Sequence, residues 1–181
     1  MKRVSVFCIL LAVLLLGYSC IEDQNFNAFD DLNVVPQFES SIVYVEATEE
    51  IINLSGNTTF FSQDFNFNAF SENVFANRVL DGVLTYEVEN TTSKPLEIRL
   101  EFLDENDTVL DIETFVVLGE PSAVLFRDVM YGNTGKSLDI LVNTSKLRVS
   151  AINNGDTIST SSQADPLIVL KSSGKFSIRI K

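Results

Sequence analysis

Histidine and tryptophan are absent from this sequence, and cysteine occurs only twice, at Cys8 and Cys20. Without imidazole no Ser-His-Asp or Cys-His arrangement can form. Zinc sites built from His and Cys are excluded with them. Glycine is scarce, 8 residues in 181, and none falls into a phosphate-cradling fingerprint. Positive charge is also short: 13 Lys and Arg stand against 25 Asp and Glu, a formal net charge of −12. Nucleic acid needs a basic footprint along its phosphates, so no nucleic-acid partner is expected. The same sign disfavours docking on an anionic membrane surface. No cofactor is implied by any motif.

What is present begins at the N-terminus. Lys2 and Arg3 precede an apolar run of 13 residues, Val4 to Leu16. A membrane-spanning helix needs about 20 such residues, whereas a signal peptide needs fewer. The run ends in Leu15-Leu16-Gly17-Tyr18-Ser19-Cys20. In its leucines, small residues and terminal cysteine this segment resembles the lipobox of bacterial lipoproteins. It carries Tyr18-Ser19 where the commonest form has Ala-Gly. The resemblance implies that residues 1–19 are a lipoprotein signal peptide. Cys20 would then be the mature N-terminus, acylated on sulfur and nitrogen. Each buried methylene contributes about 0.8 kcal/mol, and two or more chains anchor stably where one does not. An ordinary secretory signal with an incidental cysteine and an uncleaved anchor remain the alternatives. Cys8 leaves with the signal, so the mature chain would hold no free thiol and no disulfide.

Residues 20–35 read as the lipidated cysteine followed by an acidic, flexible tether, with clustered acids and little hydrophobic periodicity. Glu22 and Asp23 resemble the acidic surface-export signals of Bacteroidota lipoproteins. Ile21, not Asp, follows the cysteine, which gives no sign of inner-membrane retention. An outer-membrane location follows as the expectation, on the periplasmic or the cell-surface face. The pentapeptide Asn-Phe-Asn-Ala-Phe occurs twice, at 25–29 and 66–70. Phe26 and Phe29 lie in a tether without a core of its own and are therefore candidate contacts for a protein partner. Phe60, Phe61, Phe65, Phe67, Phe70 and Phe75 are expected instead to close one end of the core.

From Pro36 to the C-terminus the pattern is strand-rich. Leu96, Ile98, Leu100 and Phe102 alternate with Glu97, Arg99 and Glu101, which marks a strand with one buried and one wet face. Leu84, Tyr86 and Val88 repeat the pattern, as do Phe176, Ile178 and Ile180. Further strands are expected over Gln37–Glu46, Val109–Leu118, Ala123–Met130, Leu147–Ile152 and Leu167–Leu170, each rich in β-branched or aromatic residues. Turn chemistry separates them at Asp104–Asp107, Thr91–Pro95, Asn153–Asp156 and Ser172–Gly174. Short helices with a serine at the N-cap are expected near Ser71–Arg78 and Ser137–Asn143. The stretch Tyr86–Asp104 followed by Thr108–Asp111 is similar to immunoglobulin-like or fibronectin-type modules. The expected fold is therefore all-β: an immunoglobulin-like antiparallel β-sandwich over 36–181 with one or two short helices. The chain as a whole resembles short lipoproteins of Bacteroidota, of flavobacterial type. That likeness implies an envelope address and a sandwich, but no activity and no site residues.

Charge is unevenly spread. Residues 21–120 hold 21 acidic and 3 basic side chains, while 146–181 hold 6 basic and 2 acidic ones. Either the basic C-terminal strands pair with acidic neighbours across a sheet, or the acidic side faces a cationic partner. Asp104, Asn106, Asp107 and Asp111 form an oxygen-rich turn and are the weak candidate for calcium. Thr108 and Val109 occupy places where a calcium loop of the EF-hand kind needs a ligand and a glycine. Paired carboxylates would support glycoside chemistry, but no pair stands out. The sequence therefore reads as a non-enzymatic lipoprotein of the outer membrane or cell surface that serves in binding or assembly. A carbohydrate-binding or adhesin-type module is the first alternative, and a small carboxylate-based hydrolase the second.

Overall fold

The alternation in the sequence becomes eight strands and three short helices in the computed structural model, which describes residues 33–67, 70, 72–120, 124–133 and 135–180. All belong to the unit Asn33–Lys181. In chain order these are β1 (Gln37–Thr48), α1 (Glu49–Leu54), β2 (Thr59–Asn66), α2 (Asn73–Ala76), β3 (Val79–Asn90), β4 (Leu96–Leu103), β5 (Val109–Val117), β6 (Leu125–Tyr131), α3 (Leu138–Asn143), β7 (Lys146–Asn153) and β8 (Leu167–Ile178). They form two four-stranded sheets, ordered β1-β8-β3-β6 and β2-β7-β4-β5. Every strand pairing is antiparallel.

Only β4 and β5 are consecutive partners in one sheet; every other connection crosses to the opposite sheet. The antiparallel sandwich expected from the sequence is what the structure shows. Its connectivity is the eight-strand jelly-roll order, whereas an immunoglobulin sandwich divides its strands as four and three.

The core lies between the sheets. Leu96, Ile98, Leu100 and Phe102 of β4 are buried against Leu84, Tyr86 and Val88 of β3 and Leu147 and Val149 of β7. Burying each such side chain contributes about 1.5–3 kcal/mol. The sheet surfaces carry the charge. Arg148 on β7 pairs with Asp64 directly opposite on β2, at 2.7 and 2.9 Å. Lys171 on β8 pairs with Glu87 on β3 at 2.9 Å. The basic C-terminal strands thus lie beside acidic ones, the first of the two explanations for the uneven charge.

Two sequence expectations change. Ser172–Gly174 is not a turn: β8 runs unbroken from Leu167 to Ile178 through the middle of its sheet. The small residues are there because an aromatic ring needs their space. A Cβ on Gly174 would come within 2.6 Å of Phe176 Cζ, and one on Gly82 within 2.6 Å of Phe176 Cδ1. Gly82 is the cross-strand partner of Phe176, so one ring covers two glycines on adjacent strands. Asn153–Asp156 keeps its turn but opens a long loop, because β7 and β8 belong to different sheets.

The phenylalanine-rich segment closes one end, as expected. Phe70 is buried, and its ring lies 5.1 Å from Phe75, 5.3 Å from Phe67 and 5.4 Å from Phe176. Part of that segment is a strand, β2, which the sequence pattern did not reveal. Phe67 and Phe70 of the second pentapeptide therefore pack with the core. Of the two expected helices, α3 starts at Ser137, whose hydroxyl accepts from Asp139 N at 3.1 Å. In the other, Ser71 lies outside the described residues and Glu72 takes the N-cap position without a side-chain bond.

Replacing Phe176 by Ala should cost about 3–5 kcal/mol of unfolding free energy, the range for a large buried aromatic. Gly82→Ala should destabilise the natural protein and be markedly better tolerated beside Phe176→Ala. Urea denaturation of the two single variants and the double variant measures this, and strict additivity would contradict the packing described.

Candidate functional site

The predicted site residues fall in two groups. Cys20, Glu22, Asp23, Phe26 and Phe29 lie outside the described residues. Among the described residues no helix is long and apolar enough to cross a membrane. The oxygen-rich turn is described, and it does not assemble. Asp104 Oδ1 accepts from the backbone of Asn106 and Thr108, each at 2.8 Å. Those bonds to the Thr108 and Asn106 backbone hold the Asp104 carboxyl below the usual range. Asp107, at φ 63°, pairs with Lys146. Asp111 points into the sandwich and binds Lys136 Nζ at 2.6 Å. Each carboxylate is committed to a structural partner, and no cluster of three metal-ligating acidic, His or Cys side chains exists among the described residues.

A second polar group closes the side of the sandwich where β5 and β6 are the free edges. Asp111 and Glu113 project inward from β5, and both hold Lys136 Nζ at 2.6 Å. Arg127 on β6 reaches Glu113 at 3.4 Å, and its guanidinium lies 4.4 Å from the centre of the Phe115 ring. Burial pulls the Lys136 ammonium down, but the bonds and charges of Asp111 and Glu113 outweigh it and hold it above its ordinary value. Burial, reinforced by the neighbouring carboxylates, pushes the Tyr86 and Tyr131 hydroxyls up. Both phenols therefore stay neutral. The Tyr86 hydroxyl is buried with no hydrogen-bond partner. The arrangement seals an edge, and one ammonium bridges both acids.

The opposite case is an open cleft, and it starts from local turn chemistry. At the end of β7, Asn153 Oδ1 accepts from Gly155 N at 2.9 Å, and its amide donates to Asp156 O at 3.0 Å. Asp156 accepts in turn from Ile158 N at 3.1 Å. Lys94, in the β3–β4 connection, is only 2% exposed. Its ammonium pairs with Asp156 and donates to Ile158 O at 2.6 Å. Farther along, Glu120 accepts from Ser161 Oγ at 2.6 Å and Ser162 N at 2.7 Å. Those two serines hold the Glu120 carboxyl below the usual range. Residues 154–166 are thereby fastened from two other connections.

That fastened loop forms one wall of the cleft and α1 the other. α1 begins at Thr48, whose hydroxyl caps Ile51 N, and its first turn carries Glu49 and Glu50. Glu49 is buried and spent on Ser93, whose N–H and hydroxyl it accepts at 2.9 and 2.5 Å. Glu49 N donates to Pro166 O at 2.9 Å, which ties the two walls together. Between them lies a space of about 690 Å³ faced by Glu50, Asn53, Leu54, Thr157, Ser159 and Asp165. Asn53 donates to Ser159 Oγ at 2.8 Å across the cleft. Its side-chain oxygen Oδ1 is buried and accepts nothing from the described residues. Leaving a buried acceptor unmade costs about 1–3 kcal/mol, and such a group in a native fold calls for an explanation.

None of these cleft residues stands out in the sequence. Thr91–Pro95 and Asn153–Asp156 read there only as turns, and 48–54, beyond the expected strand Gln37–Glu46, carries no assignment. The one usable signal was Thr48-Glu49-Glu50 ahead of Ile51-Ile52, a helix start with acids in its first turn.

No protein family and no curated protein matches the chain. Solved structures do match. The infectious bursal disease virus subviral particle protein aligns with 80% of this chain at 6% identity and a TM-score of 0.42, and the match spans 33% of that protein. A protein of the Bacillus endospore appendages, described as disulfide-linked pili, aligns with 81% of this chain and 90% of its own at 11% identity and a TM-score of 0.36. The Desmodium yellow mottle tymovirus protein aligns with 83% and 89% at 12% identity and a TM-score of 0.36. The jelly-roll assignment made above rests on strand order alone.

The Lys94 bond and the bond from Ile158 N hold the Asp156 carboxyl below the usual range. A depressed folded-state value means that the pairing contributes above the ordinary carboxylate value of about 3.9 and is lost as pH falls through the depressed value. In a carbon-detected carboxyl titration, Asp156 should titrate below its ordinary value. Lys94→Met, which keeps the buried stem, should move the midpoint up. An unchanged midpoint would show that Lys94 does not hold the loop.

Proposed function

We propose that this protein is a lipid-anchored envelope module that binds and does not catalyse, tethered at the outer membrane through Cys20. The observation that carries the binding role is the cleft between α1 and residues 157–166. Its loop wall is braced by Lys94, Glu120 and Ser93, so a ligand meets a pre-formed surface and little ordering is needed on binding. The anchor rests on Lys2, Arg3, the apolar run and Cys20. The acidic residues Glu22 and Asp23 serve as the export signal of the tether, with Phe26 and Phe29 as contacts for an envelope protein.

The chemistry of the interior favours binding over turnover. Glycoside cleavage needs one free acid and one free base. Asp111 and Glu113, the pair of inward carboxylates on one strand face, are both engaged by Lys136. Glu49, the buried acid beside the cleft, is engaged by Ser93. Glu50 and Asp165, unpaired among the described residues, are both exposed, so neither is a desolvated acid of the kind that protonates a leaving group.

Two measurements in cells test the proposal. Radiolabelled palmitate should label the protein and should not label Cys20→Ser, which should leave the membrane fraction. Lack of label on the natural chain would remove the anchor. A photoreactive amino acid in place of Glu50 should capture an envelope component, while the same residue in place of Glu105, in the β4–β5 hairpin, should not. Equal capture at both positions, or none at either, would remove the cleft as the binding surface.

A further inference from the structure

We infer that the cleft between α1 and the 157–166 loop takes a neutral saccharide, an assignment that rests on the binding role proposed above. The first argument is the donor and acceptor inventory. Glu50 and Asp165 accept and never donate when ionised, and the Asn53 carbonyl oxygen can only accept. Neither carboxylate has an ion-pair partner among the described residues. Thr157 and Ser159 bring hydroxyls that serve either way. The surface therefore holds a surplus of acceptors, and it suits a ligand that brings many O–H donors.

The buried Asn53 carbonyl oxygen is the pointed observation. Its amide nitrogen donates to Ser159 Oγ across the cleft, which places the carboxamide at the seam between the two walls. A hydroxyl entering between the walls would supply the missing donor once the Asn53 carboxamide turns outward to meet it. A sugar hydroxyl can donate there while accepting from Thr157 or from the backbone.

Charge narrows the class. Among the described residues no Lys or Arg faces the cleft, while Glu50 and Asp165 do. Phosphate, sulfate and uronate groups would meet anions with no countercharge, so acidic saccharides are rejected. A bound divalent cation is disfavoured because calcium needs six to eight converging oxygens with several carboxylates among them, and no such cluster of three is present among the described residues. Shape supplies the remaining support. The volume of about 690 Å³ lies within the range of organic ligand sites. Leu54, 82% exposed at the rim, together with Pro166 offers an apolar surface for the C–H face of a sugar ring.

The test uses the full-length protein solubilised from membranes in detergent, with amide resonances followed by NMR. The probes are neutral trisaccharides of glucose, galactose, mannose and N-acetylglucosamine, the trisaccharide of galacturonate, and trilysine. At least one neutral trisaccharide should shift the amides of α1 and of 157–166. The galacturonate trisaccharide should bind about tenfold more weakly or worse, as two uncompensated anions in the wall require. Asn53→Ala should weaken the neutral ligand about tenfold, the loss of one hydrogen bond to a buried acceptor. Should that variant fail to fold, Thr157→Ala on the exposed wall should weaken binding in the same direction. No response to any neutral trisaccharide, or a response to trilysine alone, overturns the inference. If Glu50 still captures an envelope component in that case, the binding role stands with a protein as its ligand; if that capture fails too, both readings fall.

Discussion

An ammonium group placed where water cannot reach must be met by fixed oxygens. Lys94 imposes this constraint at the cleft end of the sandwich. Its partners, the carboxylate of Asp156 and the carbonyl of Ile158, belong to a loop that starts some 60 residues later in the chain. Withdrawing either one would leave a desolvated charge, a larger cost than the pair's own net worth. The loop therefore has one acceptable path. Ser93 and Thr91, neighbours of Lys94, then fall opposite Glu49, Ser161 and Leu167, and with Glu120 four connections meet in one polar lattice. The cleft is what remains open when that lattice is satisfied. Its one unmet acceptor, the carbonyl of Asn53, sits at the seam between the lattice and α1.

The far side of the sandwich solves a different problem. β5 and β6 are edges of different sheets, and their outward positions include Ile112, Val116, Phe126 and Met130, all exposed. An apolar edge of that kind invites pairing with another chain. The inward acids Asp111 and Glu113 counter it. Their ion pairs with Lys136 and Arg127 are made only if β5 and β6 keep their present separation, and an inward charge is a known means of blunting an edge.

Strands whose environment is uniform along their length were legible in the sequence. β3 and β4 each have one dry and one wet face throughout, so a period of two was enough to find them. β8 was not legible as one strand, because Ser172, Ser173 and Gly174 carry turn propensity. The fact that overrides propensity there is tertiary: the Phe176 ring occupies the space that larger side chains would need. β2 mixes phenylalanine with asparagine and serine, and its role is set by pairing with β7 rather than by periodicity. The cleft was out of reach for a related reason. Its two walls come from 48–54 and 157–166, and only the strand order brings them together. The oxygen-rich turn around Asp104 showed the converse error, since residues close in sequence were each claimed by a different partner.

The strand order also has a temporal meaning. β8 is the last described strand, yet it lies between β1 and β3, and β7 lies between β2 and β4. Until β8 is present, β1 and β3 have no strand between them to pair with. Loop-closure entropy must be met before such distant pairings are rewarded. Neither sheet can be completed on a nascent fragment. Both sheets of the domain therefore close together, when β7 and β8 take their places between strands already made.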